Sequence, residues 1–419
     1  SDNKIESQTT NYLLNFGWRN RANKKHYFML SGMVSYNEGK NSTVFGDSVL
    51  HENMFIRSVL QKNKSNTGAL SMSGKGSWLQ KFNSPFRIVK VASSLNFKQS
   101  FTDYSSFLQE YYNSIQDTEF SRPFSNSDIF NLKYDVDLKT VVRFTGSFFG
   151  ELKVNSHFQR EQRDRSQGLI NDDSFVDSSI VPEFRTSFKR VKPGIELKKY
   201  LSDHKFYSGF YLEIGEIENN DGNTPNIRKQ VNEWLPYARW EYEYRTGHRI
   251  SAGYYTSLRM PTSYELQPVI SNTNPMNVLL GNRSLNHENR HTLHANWMLF
   301  DQFSFTSLFV TFRGTYTENK IGNSVSILDD FAQEVMLVNV PEDYTLSGQI
   351  DFSTPIKLLG LKVSLNFTEQ IQNGISYVDN ILNHTDQIIH RGGLTFENRK
   401  KDKIDIRFGS KLNYTQAVY

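Results

Sequence analysis

WLPYARWEYEYRTGHRISAGYYTSLR, residues 234–259, reads as two alternating strands folded on a tight turn. Trp234, Pro236, Ala238, Trp240, Tyr242 and Tyr244 take every second place, with Arg239, Glu241, Glu243 and Arg245 between them. Thr246, Gly247 and His248 make the turn. The chain returns with Ile250, Ala252, Tyr254, Thr256 and Leu258 on one parity, and with Ser251, Gly253, Tyr255, Ser257 and Arg259 on the other. Side chains of a strand point alternately to opposite faces. The hairpin therefore has one apolar, ring-rich face and one charged face. Two environments accept it. In a soluble sheet the apolar face covers a core; in a transmembrane barrel it meets lipid, and the polar face lines a wet lumen.

The rest of the chain bears on that choice. Among its 419 residues there is no run of about 18 apolar ones, which excludes membrane helices. Aromatics are abundant, with 31 Phe and 21 Tyr, yet only 37% of residues are hydrophobic. Mean hydropathy is −0.56. Rings without overall greasiness suit a barrel in which half of each strand faces water. The absence of cysteine excludes disulfides and thiolate metal sites. Net charge is +4, from 48 basic and 44 acidic residues, and no basic arm points to nucleic acid. The first six residues are not a signal peptide; if the protein is exported, the signal is expected upstream.

The alternation recurs from end to end. Tyr12, Leu14, Phe16 and Trp18 show it, as do Phe28, Leu30, Gly32, Val34 and Tyr36. Even positions from Phe130 to Val154 alternate without a break, which exceeds one crossing of about 9–11 residues. That run reads as two strands with an unmarked turn, or one strand reaching far beyond a membrane. Tyr344 to Phe352, Leu361 to Phe367 and Ile404 to Tyr414 add three more strands. The stretches 99–128, 159–183 and 261–289 read as polar loops, 37–66 as polar and irregular with a possible strand near Phe55, and 319–342 as less regular. The expectation is roughly 14–18 strands, joined alternately by short turns and long loops. No repeat at blade-like spacing supports a propeller.

Candidate chemistry is sparse. The run Arg160 to Arg165 either meets an anionic surface such as lipopolysaccharide or is a solvated extension. His287, His291 and His294 follow helical spacing in a region of strand and loop, which does not make a metal site. Tyr104, Phe107 and Tyr111 either stack on a ligand or pack loops together. No phosphate loop, nucleophile elbow or carboxylate pair stands out. The expectation is a non-enzyme with no cofactor and no metal.

Pro261 to Pro268, then Asn272 to Pro275, then Gly281, Asn282, Leu285 and Glu288 before a fresh strand form one further pattern. It resembles a stretch in the barrels of TonB-dependent outer-membrane receptors, most closely the Bacteroidetes-type outer-membrane β-barrel family. The resemblance covers about 40 residues. It implies an all-β fold: a large antiparallel transmembrane β-barrel with short periplasmic turns and long extracellular loops. Intact family barrels have 22 strands. The plug domain and energy-coupling box are absent from this sequence, so residues 1–419 are expected to form an incomplete barrel domain. The resemblance also implies active uptake of a scarce nutrient (a metal chelate, oligosaccharide or peptide) across the outer membrane of a Gram-negative bacterium. Expected partners are outer-membrane lipid and lipopolysaccharide, the TonB complex through a plug segment, and a surface lipoprotein or other outer-membrane protein. Substrate contact is expected from Arg239, Tyr255 and Arg259 on the polar face and from Tyr264 in the following loop. Two alternatives stand beside this: a docking or secretion-associated barrel that transports nothing, and a soluble all-β carbohydrate-binding protein. The position of Trp240, Leu258, Phe352 and Phe408, outward to lipid or shut in a compact interior, discriminates the soluble reading.

Overall fold

Sustained alternation leaves the backbone one way to satisfy its N–H and C=O groups, namely pairing with neighbouring strands. The computed structural model does this with one 18-stranded sheet. It describes residues 3–23, 25–51, 54–83, 86–112, 117–171, 175–220, 226–262, 265–266, 277–327, 333–399 and 404–418. In chain order the strands are β1 (Asn3–Asn23), β2 (His26–His51), β3 (Met54–Lys81), β4 (Phe86–Tyr112), β5 (Asp117–Ser121), β6 (Pro123–Thr145), β7 (Phe148–Asn171), β8 (Phe175–Tyr200) and β9 (His204–Asn220). There follow β10 (Ile227–Arg245), β11 (His248–Arg259), β12 (Asn277–Leu280), β13 (Glu288–Asp301), β14 (Thr306–Ile327), β15 (Gln333–Ile356), β16 (Leu361–Val378), β17 (Ile381–Asn398) and β18 (Arg407–Val418).

Sequence neighbours pair antiparallel along the sheet, from β1 with β2 to β17 with β18. β5 and β6 share β4 as partner. β11 pairs with β13, and β12 in the loop between them runs parallel to β15. Among the described residues β1 and β18 each have one neighbour.

At one end, the turn end, strands meet across short connections such as 146–147, 201–203 and 246–247. Gly247 has φ 79°, and a Cβ there would strike the Phe300 carbonyl oxygen at 2.6 Å, so the turn requires glycine. At the other end, the loop end, strands run on as long hairpins; β3 has 28 residues. The described parts of 99–128 and 159–183, expected as loops, and of 37–66, expected as irregular with a possible strand near Phe55, lie in these hairpins. The reason is chemical. Polar residues occupy both faces there, so the hydropathy signal fades while the ladder persists. Side chains add to it: Asn63 Oδ1 accepts from Ser106 Oγ at 2.6 Å and from Tyr104 Oη at 3.0 Å. The unbroken run 130–154 is two strands, turned at 146–147 with a register shift beside Arg143. Within 319–342, Asn319 (φ 52°) faces Pro341, which has no N–H to offer, and pairing resumes at Lys320.

Among the described residues the sheet buries few hydrophobic side chains. Phe184, Ile217, Val231, Leu235, Leu266, Leu285, Val340 and Ile375 are the buried hydrophobics among the described residues. A soluble monomer of this mass exposes about 16,600 Å²; this chain exposes 26211 Å². The exposed apolar groups share one face. Trp240 pairs with Ala252, Ala252 with Ala295, Ala295 with Phe312 and Phe312 with Gly348, all on the apolar parity. Phe408 is 66% exposed, and Trp240 and Phe352 are half-buried on this face; Leu258, expected with them, instead lines the lumenal groove at the end of β11.

Polar-tipped rings bound the apolar face above and below. Near the turn end Trp297 Nε1 donates to Tyr244 Oη at 3.2 Å, and Trp240 Nε1 donates to His204 Nδ1 at 3.2 Å. Toward the loop end Trp234 packs on Phe210 at 5.6 Å between centroids. From Tyr244 to Trp234 is about 33 Å along the strand, or about 25 Å in height at a tilt near 40°. That is the height of the apolar band of a membrane barrel. Rings with a polar tip belong at the two interfaces of such a band.

Candidate functional site

The opposite face lines the lumen, and its charges are sorted by the same parity. On β6 to β9 four carboxylates are nearly buried, and three of them, Glu151, Glu196 and Glu213, sit among lysines and arginines. Each is surrounded by cations from adjacent strands. Glu151 meets Lys139 and Lys198 at 2.8 Å and Lys153 at 3.2 Å. Glu196 meets Lys153 at 2.6 Å and Lys198 at 3.3 Å. Glu213 meets Arg190 at 3.3 Å and Lys192 at 3.4 Å. Arg190 also donates to Asn155, whose amide donates to Asp137, and His157 lies 2.6 Å from Asp135. Carboxylates this buried need such partners, since an isolated buried charge is prohibitively costly. The Tyr211 ring lies over Gly194, where any Cβ would collide with it, and its hydroxyl donates to Glu196 at 3.3 Å.

At the loop end, the described parts of the segment between β11 and β13 fold inward. Thr262 and Glu265 cap each other: Thr262 N donates to Glu265 Oε2 at 2.8 Å, and Glu265 N donates to Thr262 Oγ1 at 3.3 Å. This turn drives Leu266 into a fully buried position beside Leu285. Both pack on lumen-facing Phe184 and Ile217, with Phe188, Met260, Ile321 and Leu337 around them. Three clamps hold the segment. Glu288, 1% exposed, accepts from Arg259 Nη1 at 3.4 Å, Arg290 Nη2 at 2.5 Å and the Ile321 N–H at 3.0 Å. Lys229 Nζ donates to the Ser284 and Leu285 carbonyls at 2.5 and 2.6 Å, and burial lowers its pKa. Asn339 joins Asn286 through both ends of its amide. Below the segment is a groove of about 500 Å³, lined by His157, Glu161, Arg163, Arg190, Glu213 and Met260 among others.

The expected contact residues separate into two places. Arg239 and Tyr255 are on neighbouring strands of the lumenal face. The guanidinium of Arg239 reaches Glu241 at 2.5 Å and lies over the Tyr207 ring, while Tyr255 Oη accepts from Arg313 at 2.7 Å. Arg259 is at the mouth of the inward segment, held between Glu265 at 2.5 Å and Glu288. Tyr264 lies outside the described residues. Apart from Glu161 and Arg163, the groove-lining residues of β6 to β9 were missed. Each alone reads as lumen hydration, and only strand register brings them together. The run from Arg160 is divided by parity: Glu161 and Arg163 line the groove, and Arg160 is on the other face. The three histidines also part company. His287 is 3.5 Å from Glu233, His291 shares a 2.7 Å hydrogen bond with Tyr254 on the outward face, and the His294 ring lies 5.9 Å from Tyr255 in the lumen.

No model of a known family matches the chain, and no curated protein sequence matches it. Solved structures do. The copper transporter OprC aligns over 99% of this chain and 72% of its own, at 11% identity and a TM-score of 0.57. The hemophore receptor HasR of Serratia marcescens, solved with its hemophore HasA and heme, aligns over 98% of this chain and 74% of its own, at 9% identity and a TM-score of 0.45. The siderophore receptor PirA from Pseudomonas aeruginosa aligns over 92% and 77%, at 12% identity and a TM-score of 0.40. Fold and surface together define a large antiparallel transmembrane β-barrel with a polar lumen. Its strand layout is that of OprC, at an identity that carries the fold alone.

Proposed function

We propose that the chain is the barrel domain of an energised uptake receptor in the outer membrane of a Gram-negative bacterium, coupled to the TonB system through a plug segment. Its substrate class is a scarce nutrient: a metal chelate, an oligosaccharide or a peptide. The observation that carries this reading is the inward segment at the loop end. A barrel that only docked partners outside has no use for a segment clamped by Glu288, Lys229 and Asn339 over a charged groove in its lumen. In this reading Arg239 and Tyr255 face the passing substrate. Arg259 positions the segment that carries Tyr264. OprC, a copper transporter, has the same fold and gives the reading a structural precedent.

The test is a strain lacking the gene, grown on limiting metal chelates, oligosaccharides or peptides in turn. The account expects a growth defect on one class, restored by the full-length gene, and accumulation that stops when a protonophore collapses the energy supply. Full-length protein recovered in the soluble fraction, or growth indistinguishable from the parent on all three classes, would overturn it.

A further inference from the structure

The lumenal cations form two populations. On β7 and β8 Lys153, Arg190, Lys192 and Lys198 each have a carboxylate partner. On β3, β4 and β6 several do not; among them Lys75, Lys98 and Lys133 make no ion pair or hydrogen bond among the described residues. Register places all three on one face. Lys75 is opposite Ser94, Ser94 opposite Asp135, Asn96 opposite Lys133, and Lys98 opposite Asn131. That face is the lumenal one, because Trp78, Leu95 and Leu138 project from the other side of the same strands.

The three lysines line one recess of about 690 Å³ with Ser73 and Asn96. Its single carboxylate, Glu161, is already engaged: it is 8% exposed and accepts from Asn131 at 3.1 Å and Arg163 at 2.8 Å. Lys133, Glu161 and Arg163 also line the groove that continues to Met260 and Thr262 of the inward segment. The recess therefore opens toward the clamped segment. Ammonium groups gathered in a concave space repel one another and focus a positive field. The nearby hydroxyl and amide groups add neutral donors suited to an oxyanion. The volume lies within the range of about 300–1,000 Å³ usual for small-ligand sites.

We propose that this recess binds a small, multiply charged anion, bearing carboxylate or phosphate groups, and that such anions are the substrate class of the uptake route. The proposal rests on the uptake reading above. The lysines act as separate point charges, which hold an anion and release it along the lumen without a rigid fork to dismantle.

The test is calorimetric titration of the full-length protein in detergent with citrate, and with neutral raffinose as control. Citrate is expected to bind with an affinity that falls as salt rises, and raffinose not to bind. The combined change Lys75→Gln, Lys98→Gln and Lys133→Gln is expected to weaken citrate by about tenfold or more. The change Arg245→Gln, Arg249→Gln and Lys357→Gln at the turn end is expected to leave affinity unaltered. Equal citrate affinity in the lysine variant and the parent overturns the site, as does a lack of citrate binding at millimolar concentration. If citrate fails while the lysine variant melts earlier than the parent, the lysines serve an acidic protein segment lodged in the lumen, which also overturns it. Growth on the limiting nutrient is scored in the same strains, so loss of the anion site and loss of the uptake reading are told apart.

Discussion

Glu288 carries more of the loop end than any other single side chain described. It is 1% exposed and joins Arg259, Arg290 and the backbone of β14. Glu288→Ala removes the shared partner of two guanidiniums. Breaking a buried pair costs about 3–5 kcal/mol; because both arginines are one-third exposed, about 2 kcal/mol is expected here. Thermal unfolding in detergent reads the loss, and limited proteolysis within 260–287 should quicken. Unchanged melting and unchanged cleavage would show the clamp to be incidental. Gly194→Val is a second residue-scale case, since its side chain needs the space that the Tyr211 ring fills. A loss of about 1–3 kcal/mol is expected from such overpacking, again measured by melting. Arg259 shows what the sequence disclosed at this scale. Its place at the mouth of a polar segment was legible. Its bonds to Glu265 and Glu288 were not, because Glu288 is 29 residues away and reaches it only through strand pairing.

At the scale of the element, parity decides what a substitution does. Leu293 pairs with Tyr254 near mid-height of the apolar band and is 51% exposed to the outside. Leu293→Arg is expected to cost about 2–4 kcal/mol, the price of a cation at the midplane of a barrel's lipid face. Thr311→Arg, on the lumenal parity of the next strand, is expected to change stability by no more than about 0.5 kcal/mol. Equilibrium unfolding from lipid vesicles measures both, and equal costs would mean that the two faces see the same solvent. The strands that were legible, β10, β11, β15 and β16 among them, have one greasy parity inside the band. β17 was passed over because Gly392 and Gly393 interrupt the pattern, although both pair with Asn366 and Phe367 in the ladder. The hairpin extensions escaped for a related reason: beyond the lipid band neither face needs to be apolar.

The whole molecule is a wall with lipid on one side and water on the other, and this was the most legible property of all. It followed from rings and charges on opposite parities, without knowledge of which strands are neighbours. What stayed hidden was everything set by register: the buried carboxylates of β7 to β9, the inward segment's footing on Phe184 and Ile217, and the recess at Lys75, Lys98 and Lys133. The absence of cysteine makes a direct test simple. Single cysteines are placed in turn at residues 234–244 of the full-length protein, spin-labelled, and read in lipid vesicles for collision with oxygen and with a water-soluble nickel chelate. The account predicts two out-of-phase oscillations of period two, with oxygen highest at even positions such as Ala238→Cys and nickel highest at odd positions such as Tyr237→Cys. Nickel access at every position, or no oscillation, would contradict it.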